Sequence, residues 1–158
     1  MIGVVRSLTR VHRSSPVTIS AWHSLVRSLT TVEKLDIRQG GNLVIDFSNS
    51  NSGEVRRVEV VSQWQDHCDI SYDGDVSHEV DVEGQVLSVK EGSSPSSSSV
   101  VRVVTPETIN VFVRGDTLDL KLQNKMEGDI HIACEKGAVR VDKIRGMSIS
   151  FECGEASL

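Results

Sequence analysis

The chain has 158 residues, enough for one domain, with 17 basic and 22 acidic side chains and a net charge of −5 at pH 7. Its 60 apolar residues include 24 Val, 10 Ile and 10 Leu but only 4 Ala, an excess of β-branched residues that argues against an all-α fold. No apolar run approaches the roughly 18 residues of a membrane-spanning helix, and the acidic balance gives no support to a nucleic-acid binder.

The charge is unevenly spread. Residues 1–32 carry Arg6, Arg10, Arg13 and Arg27 and no acid, so all 22 acids lie beyond position 32. Arg6, Arg10 and Arg13 share one face of a predicted helix. Val4, Leu8 and Val11 are displaced by two residues, about 200° around the axis, and form the opposite stripe. Pro16 ends this helix. Ile19, Trp22, Val26 and Leu29 follow as a second apolar set, amid Ser7, Thr9, Ser14, Ser15, Thr18, Ser20 and Ser24. An Arg-rich, Ser-rich, acid-free amphipathic N-terminus has the pattern of an organelle transit peptide, with cleavage expected near Arg27 and a mitochondrial address. A secretory signal needs an unbroken apolar stretch of about 7–15 residues, which this segment lacks. The alternative is a helix packed on the domain, or a basic arm on a cytoplasmic protein.

From residue 33 the apolar period becomes two. Leu43, Ile45 and Phe47 alternate with Val44 and Asp46; Val58 and Val60 flank Glu59; Val76, His78, Val80 and Val82 alternate with Ser77, Glu79 and Asp81. Ile109, Val111 and Val113, then Leu118, Leu120 and Leu122, then Ile149, Phe151 and Cys153 repeat the pattern. Gly40-Gly41-Asn42, Asp73-Gly74-Asp75, Gly115-Asp116 and Glu127-Gly128-Asp129 mark turns between the runs. Residues 33–158 are therefore expected to be all-β. Residues 93–99, Ser-Ser-Pro-Ser-Ser-Ser-Ser, form a low-complexity surface loop within that domain.

The last third of the chain contains a repeat. Aligning 109–113, 130–134 and 149–153 gives the columns Ile109/Ile130/Ile149, Val111/Ile132/Phe151 and Val113/Cys134/Cys153. Leu120/Val139/Ala156 and Leu122/Val141/Leu158 form further columns, with Gly115/Gly137/Gly154 just before them. Lys125-Met126-Glu127-Gly128 matches Lys143-Ile144-Arg145-Gly146. A period near 20 built of strands predicts a β-solenoid; a β-sandwich competes, but does not predict these columns.

The stretches 104–113, 118–122, 124–130 and 137–146 resemble the putative-adhesin β-solenoid family, in particular its eukaryotic members with organelle-type presequences. The resemblance is clearest over 104–158. It implies a right-handed β-helix-like solenoid with structural or surface-interaction roles, and it supplies no catalytic residues. The chain stops at Leu158, directly after a column pair and without a polar capping rung. It is therefore expected to be a fragment or short isoform, C-terminally incomplete, with end-to-end association possible through the uncapped rung.

Candidate chemistry is sparse. Cys68, Cys134 and Cys153 are odd in number and irregular in spacing, which is no disulfide framework. Cys134 and Cys153 are expected as stacked neighbours, reduced and buried like the Val113 of their column, with a bridge or shared metal as the lesser alternative. Cys68 adjoins His67, but neighbours on a strand point to opposite faces. Asp66, Asp69, Asp73, Asp75, Glu79, Asp81 and Glu83 are expected as a solvated face. His78 and His131 have no ligand-spaced companion, and Trp22 and Trp64 stand alone. No catalytic, cofactor or metal site is expected. The expected function is a non-enzymatic β-solenoid presenting a surface to a protein or ligand. The alternative is a carbohydrate-active or other hydrolytic enzyme with carboxylates on a solenoid face.

Overall fold

The structure, a computed structural model, describes residues 31–48, 54–81, 83–93 and 99–157. The leader expected over 1–32 lies outside them up to residue 30, and the sheet takes up the chain at Thr31. The centre of the Ser-rich loop, 94–98, also lies outside. The described residues are all-β, with no helix.

Ten strands form one sheet: β1 (Thr31–Leu35), β2 (Asn42–Phe47), β3 (Arg56–Gln63), β4 (Cys68–Asp73), β5 (Val76–Val80), β6 (Val86–Glu91), β7 (Val100–Pro106), β8 (Asn110–Met126), β9 (Ile130–Ile144) and β10 (Ile149–Ser157). Their order is β1-β4-β7-β3-β8-β2-β6-β5, with β9 on β8 and β10 on β9. Because β8 pairs β2 with its first half and β3 with its second, the sheet doubles back on itself. The order runs from β1 on β4 at one end to β5 at the other, and β4 leads directly into β5, so the sheet is nearly closed and barrel-like.

Period-two alternation places the apolar side chains inside. Leu87, Leu43, Val111 and Ile130 are register partners across β6, β2, β8 and β9, and all are fully buried. Val89, Ile45, Val113 and Ile132 form the next column. Val101, Val58, Leu120 and Val139 do the same across β7, β3, β8 and β9. These columns make one continuous core. At the corner before β2, the Asn110 amide donates to the Asn42 side-chain oxygen at 3.0 Å. Asn110 Oδ1 then accepts from Asp129 N, and Asp129 Oδ1 from Ser148 N, a polar ladder with a 19-residue step.

The observed register departs from the expected columns in two places. Ile130/Ile149, Ile132/Phe151, Cys134/Cys153, Leu120/Val139 and Leu122/Val141 are paired as aligned, as are Lys125/Lys143 and Met126/Ile144. However, Ile130 faces Val111, Ile132 faces Val113 and Cys134 faces Gly115. Ala156 faces Gly137 instead of Val139. Both displacements are of two residues, which leaves every side chain on its expected face. The step changes from 19 to 18 where the ladder is irregular between Leu122 and Lys125. Asn124 takes φ +66° there, and its amide donates to Ser62 O. That is the behaviour of a bulge at a residue tolerant of the left-handed region.

A simple succession of rungs does not describe the first half of the chain. Strands β2 and β3 lie between β6 and β7 on one side and β8 on the other, so a later segment is stacked beneath an earlier one. Strands β4 and β5 run antiparallel to β7 and β6.

Candidate functional site

The two ends of the stack differ in chemistry. At the first, β5 covers β6 and β4 covers β7, placing His78 opposite Val89 and Tyr72 opposite Val101. Strand β1 adds to β4. Its Glu33 reaches across to β5, where His78 Nε2 lies 3.0 Å from Glu33 Oε2. One inward column thus finishes in His78, bonded to Glu33, and one in Tyr72, whose ring lies 5.9 Å from that of His78, while Val80 and Ile70 cover the positions beside them. Asp73, Glu79, Asp81 and Glu83, exposed on β4, β5 and their turns, surround this end with negative charge. Charge on edge strands opposes unwanted strand pairing. Most of the acidic stretch in the sequence is this closed end.

The second end is β10, which pairs only with β9 among the described residues. Ile149 and Phe151 continue two columns that are buried from β6 through β9, yet they are 46% and 38% exposed. Met147, in the turn that leads into β10, is fully exposed. A strand edge with its backbone unpaired and its apolar side chains uncovered is a template for another strand.

Two charged features lie on the walls. On the β2–β8–β9 wall, Phe112 and His131 are register partners whose rings stack at 5.1 Å with an interplanar angle of 3°. They line a shallow cavity with Val44, Asp46, Arg114 and Glu152. Burial opposes ionisation of Asp46, but hydrogen bonds from the Ser48 hydroxyl and backbone, with the Arg114 and Lys90 charges, hold it below the usual carboxylate range. On the β7–β3–β8 wall, Glu59 is buried between its register neighbours Arg102 and Lys121, at 3.1 and 3.9 Å.

The predicted candidates fall as follows. Asp66, Asp81 and Glu83 meet Asp36 and Arg38 around an open hollow, while Asp69, Asp73, Asp75 and Glu79 are outside it. The hydrogen bond with His67, 2.9 Å from its ring, holds Asp66 below the usual carboxylate range. Cys68 is fully buried, whereas His67 lies on the outer side against Asp66 and Asp69, so the two do not form a pair. Burial, with the Asp69 charge, pushes the Cys68 thiol up to about 12. Cys134 and Cys153 are backbone register partners. His78 belongs to the closed end, and Trp22 lies outside the described residues. Trp64 projects from the turn after β3 and is 93% exposed. No group of three or more His, Cys, Asp or Glu among the described residues is placed to hold a metal. Among the described residues no helix is long and apolar enough to cross a membrane.

What the sequence left out is β1. It carries no apolar alternation, so its part in closing the first end shows only in the structure, in its pairing with β4 and the Glu33–His78 contact. No family model matches the chain, and no curated protein matches its sequence. Among solved structures, the chain is similar to one described as a putative cell adhesion protein from Clostridium sporogenes. The two are 12% identical with a TM-score of 0.49, over 78% of this chain and 68% of that one.

Proposed function

We propose that the stacked strands form a β-solenoid, closed at its first end, which works without catalysis as a protein-interaction module. The observation that carries this reading is the exposure of Ile149 and Phe151 on an edge strand, in columns that are buried from β6 through β9. The open edge takes a β-strand from another protein molecule: main-chain hydrogen bonds supply affinity and alternate apolar side chains cover the two columns. The closed end, ringed by acids, does not compete for the same strand.

Sedimentation of the chain over a range of concentrations tests the edge, with pairing of two β10 edges as the measurable instance. Association is expected, and Phe151→Lys is expected to abolish it with the fold intact by circular dichroism. A chain that stays monomeric to about 100 µM, equivalent to about 5.5 kcal/mol, overturns the reading. So does association that Phe151→Lys leaves unchanged. The acid-free, Arg-bearing first 32 residues support a mitochondrial address. A fluorescent fusion of residues 1–40 is expected in mitochondria, and retention in the cytosol rejects the address.

A further inference from the structure

The corner where β3 ends holds a cavity of about 510 Å³, away from β10. Trp64, Gln63, Gln65, Gln39, Glu107 and Glu127 line it. Trp64 sits at the apex of a three-residue turn closed by Gln65 N donating to Gln63 O at 2.9 Å. The Gln65 side-chain amide donates to His67 O at 2.8 Å and to Val104 O at 3.3 Å, which ties the residue after the tryptophan to β7. The far side is equally held. Glu127 N donates to Glu107 O at 2.8 Å, and Gly40 N, next to Gln39, donates to Thr108 O at 2.6 Å. A large indole left 93% exposed on a backbone fixed in this way is costly in water and offers a ready apolar plane.

The polar groups around that plane select the ligand. Glu107 and Glu127 are both engaged by Lys125 Nζ, at 3.6 Å in the first case and in closer contact in the second. That single cation offsets one of the two charges, and Asp66, the third carboxylate of the lining, lies 2.9 Å from the His67 ring; lone pairs remain on all three to accept. The Gln39 and Gln63 amides each offer two donors and an acceptor. A small cation uses the carboxylates and leaves the amide donors idle, and a purely apolar segment leaves the amides unused. A ring with a flat C–H face and hydroxyls around its rim, each both donor and acceptor, uses every group present. The volume suits one or two such rings.

We propose that this corner is a carbohydrate-binding site, with a sugar ring lying on Trp64 and its hydroxyls bonded by Gln39, Gln63, Glu107 and Glu127. The test is calorimetric titration of the full chain with cellohexaose, chitohexaose and mannohexaose. Fluorescence of a Trp22→Phe chain, in which Trp64 is the one remaining indole, runs in parallel. Saturable binding of at least one oligosaccharide and a saturable shift of the Trp64 emission are expected. Trp64→Ala is expected to weaken binding about tenfold or more without lowering the unfolding temperature, and Trp64→Phe to retain part of the affinity. Phe151→Lys is expected to leave the titration unchanged, which separates this site from the β10 edge. Absence of saturation with all three sugars, or affinity unaltered by Trp64→Ala, overturns the proposal. Trp64-dependent binding of an octa-arginine peptide in place of the sugars also overturns it and assigns the corner to cationic peptides.

Discussion

Gly137 and Cys68 show how much one position can carry. Gly137 has φ +135°, and a Cβ built there meets Leu118 O at 1.7 Å, so both conformation and space require glycine. Gly137→Ala is expected to cost about 1–3 kcal/mol or more, measured by urea unfolding. Cys68 concerns pH. Its thiol is raised by burial to about 12 in the folded chain, whereas an unfolded thiol ionises near 8.5. The native state therefore holds the proton more tightly, and the stabilisation is complete below the unfolded value. It is lost as pH rises toward about 12, by about 1.4 kcal/mol per unit. Urea unfolding at pH 8 and pH 10 is expected to show this loss in the parent chain and not in Cys68→Ala; equal slopes refute it. The inertness of Cys68 is foreseeable from its neighbours on a strand, because Cys68 and His67 have to point apart. The demand for glycine at 137 is not, since it depends on the approach of Leu118 from another strand.

At the scale of elements, β3 and β6 are tied by a buried ion pair. Arg56 has no exposed surface, and its guanidinium contacts Glu91 closely, with Glu54 at 3.9 Å. Glu91→Ala leaves the arginine charge without this partner and is expected to destabilise by about 3–5 kcal/mol in chemical unfolding. Replacing both residues, as in Arg56→Met with Glu91→Leu, is expected to recover most of that loss; a double variant as weak as the single one counts against it. The element pattern was well legible where alternation is strict. Leu43-Val44-Ile45-Asp46-Phe47 becomes β2, with its odd members inside. The registers of β8 on β9 and β9 on β10 were read two residues out in one half of each pair. Alternation constrains the face and not the shift, so Ile109 and Val111 serve equally well as partners of Ile130 until hydrogen bonds choose. Strand β4, Cys-Asp-Ile-Ser-Tyr-Asp, escaped notice because its outward positions are as polar as a turn.

At the scale of the whole molecule, the two ends of the sheet differ in what covers them. Val76-Ser-His-Glu-Val and Ile149-Ser-Phe-Glu-Cys alternate alike, yet the first lies at the closed end and the second borders the open one. Nothing local marks which strand is central and which is an edge; that property belongs to the sheet order. Amide hydrogen exchange is expected to be slowest in β2, β3 and the two stretches of β8 that pair with them, each flanked on both sides, and fastest in β1, β5 and β10. Protection of β10 equal to that of β8 in dilute solution contradicts this. The interleaved order of β2 and β3 also bears on how the protein is made. When a ribosome has delivered β2 and β3, neither has a parallel neighbour; β6 and β7 arrive about 40 residues later, and β8 after that. The centre of the molecule is therefore synthesised early and completed late. Its apolar faces wait for chain still to be translated, and a nascent polypeptide halted at residue 106 leaves β2 and β3 bare on the side meant for β8.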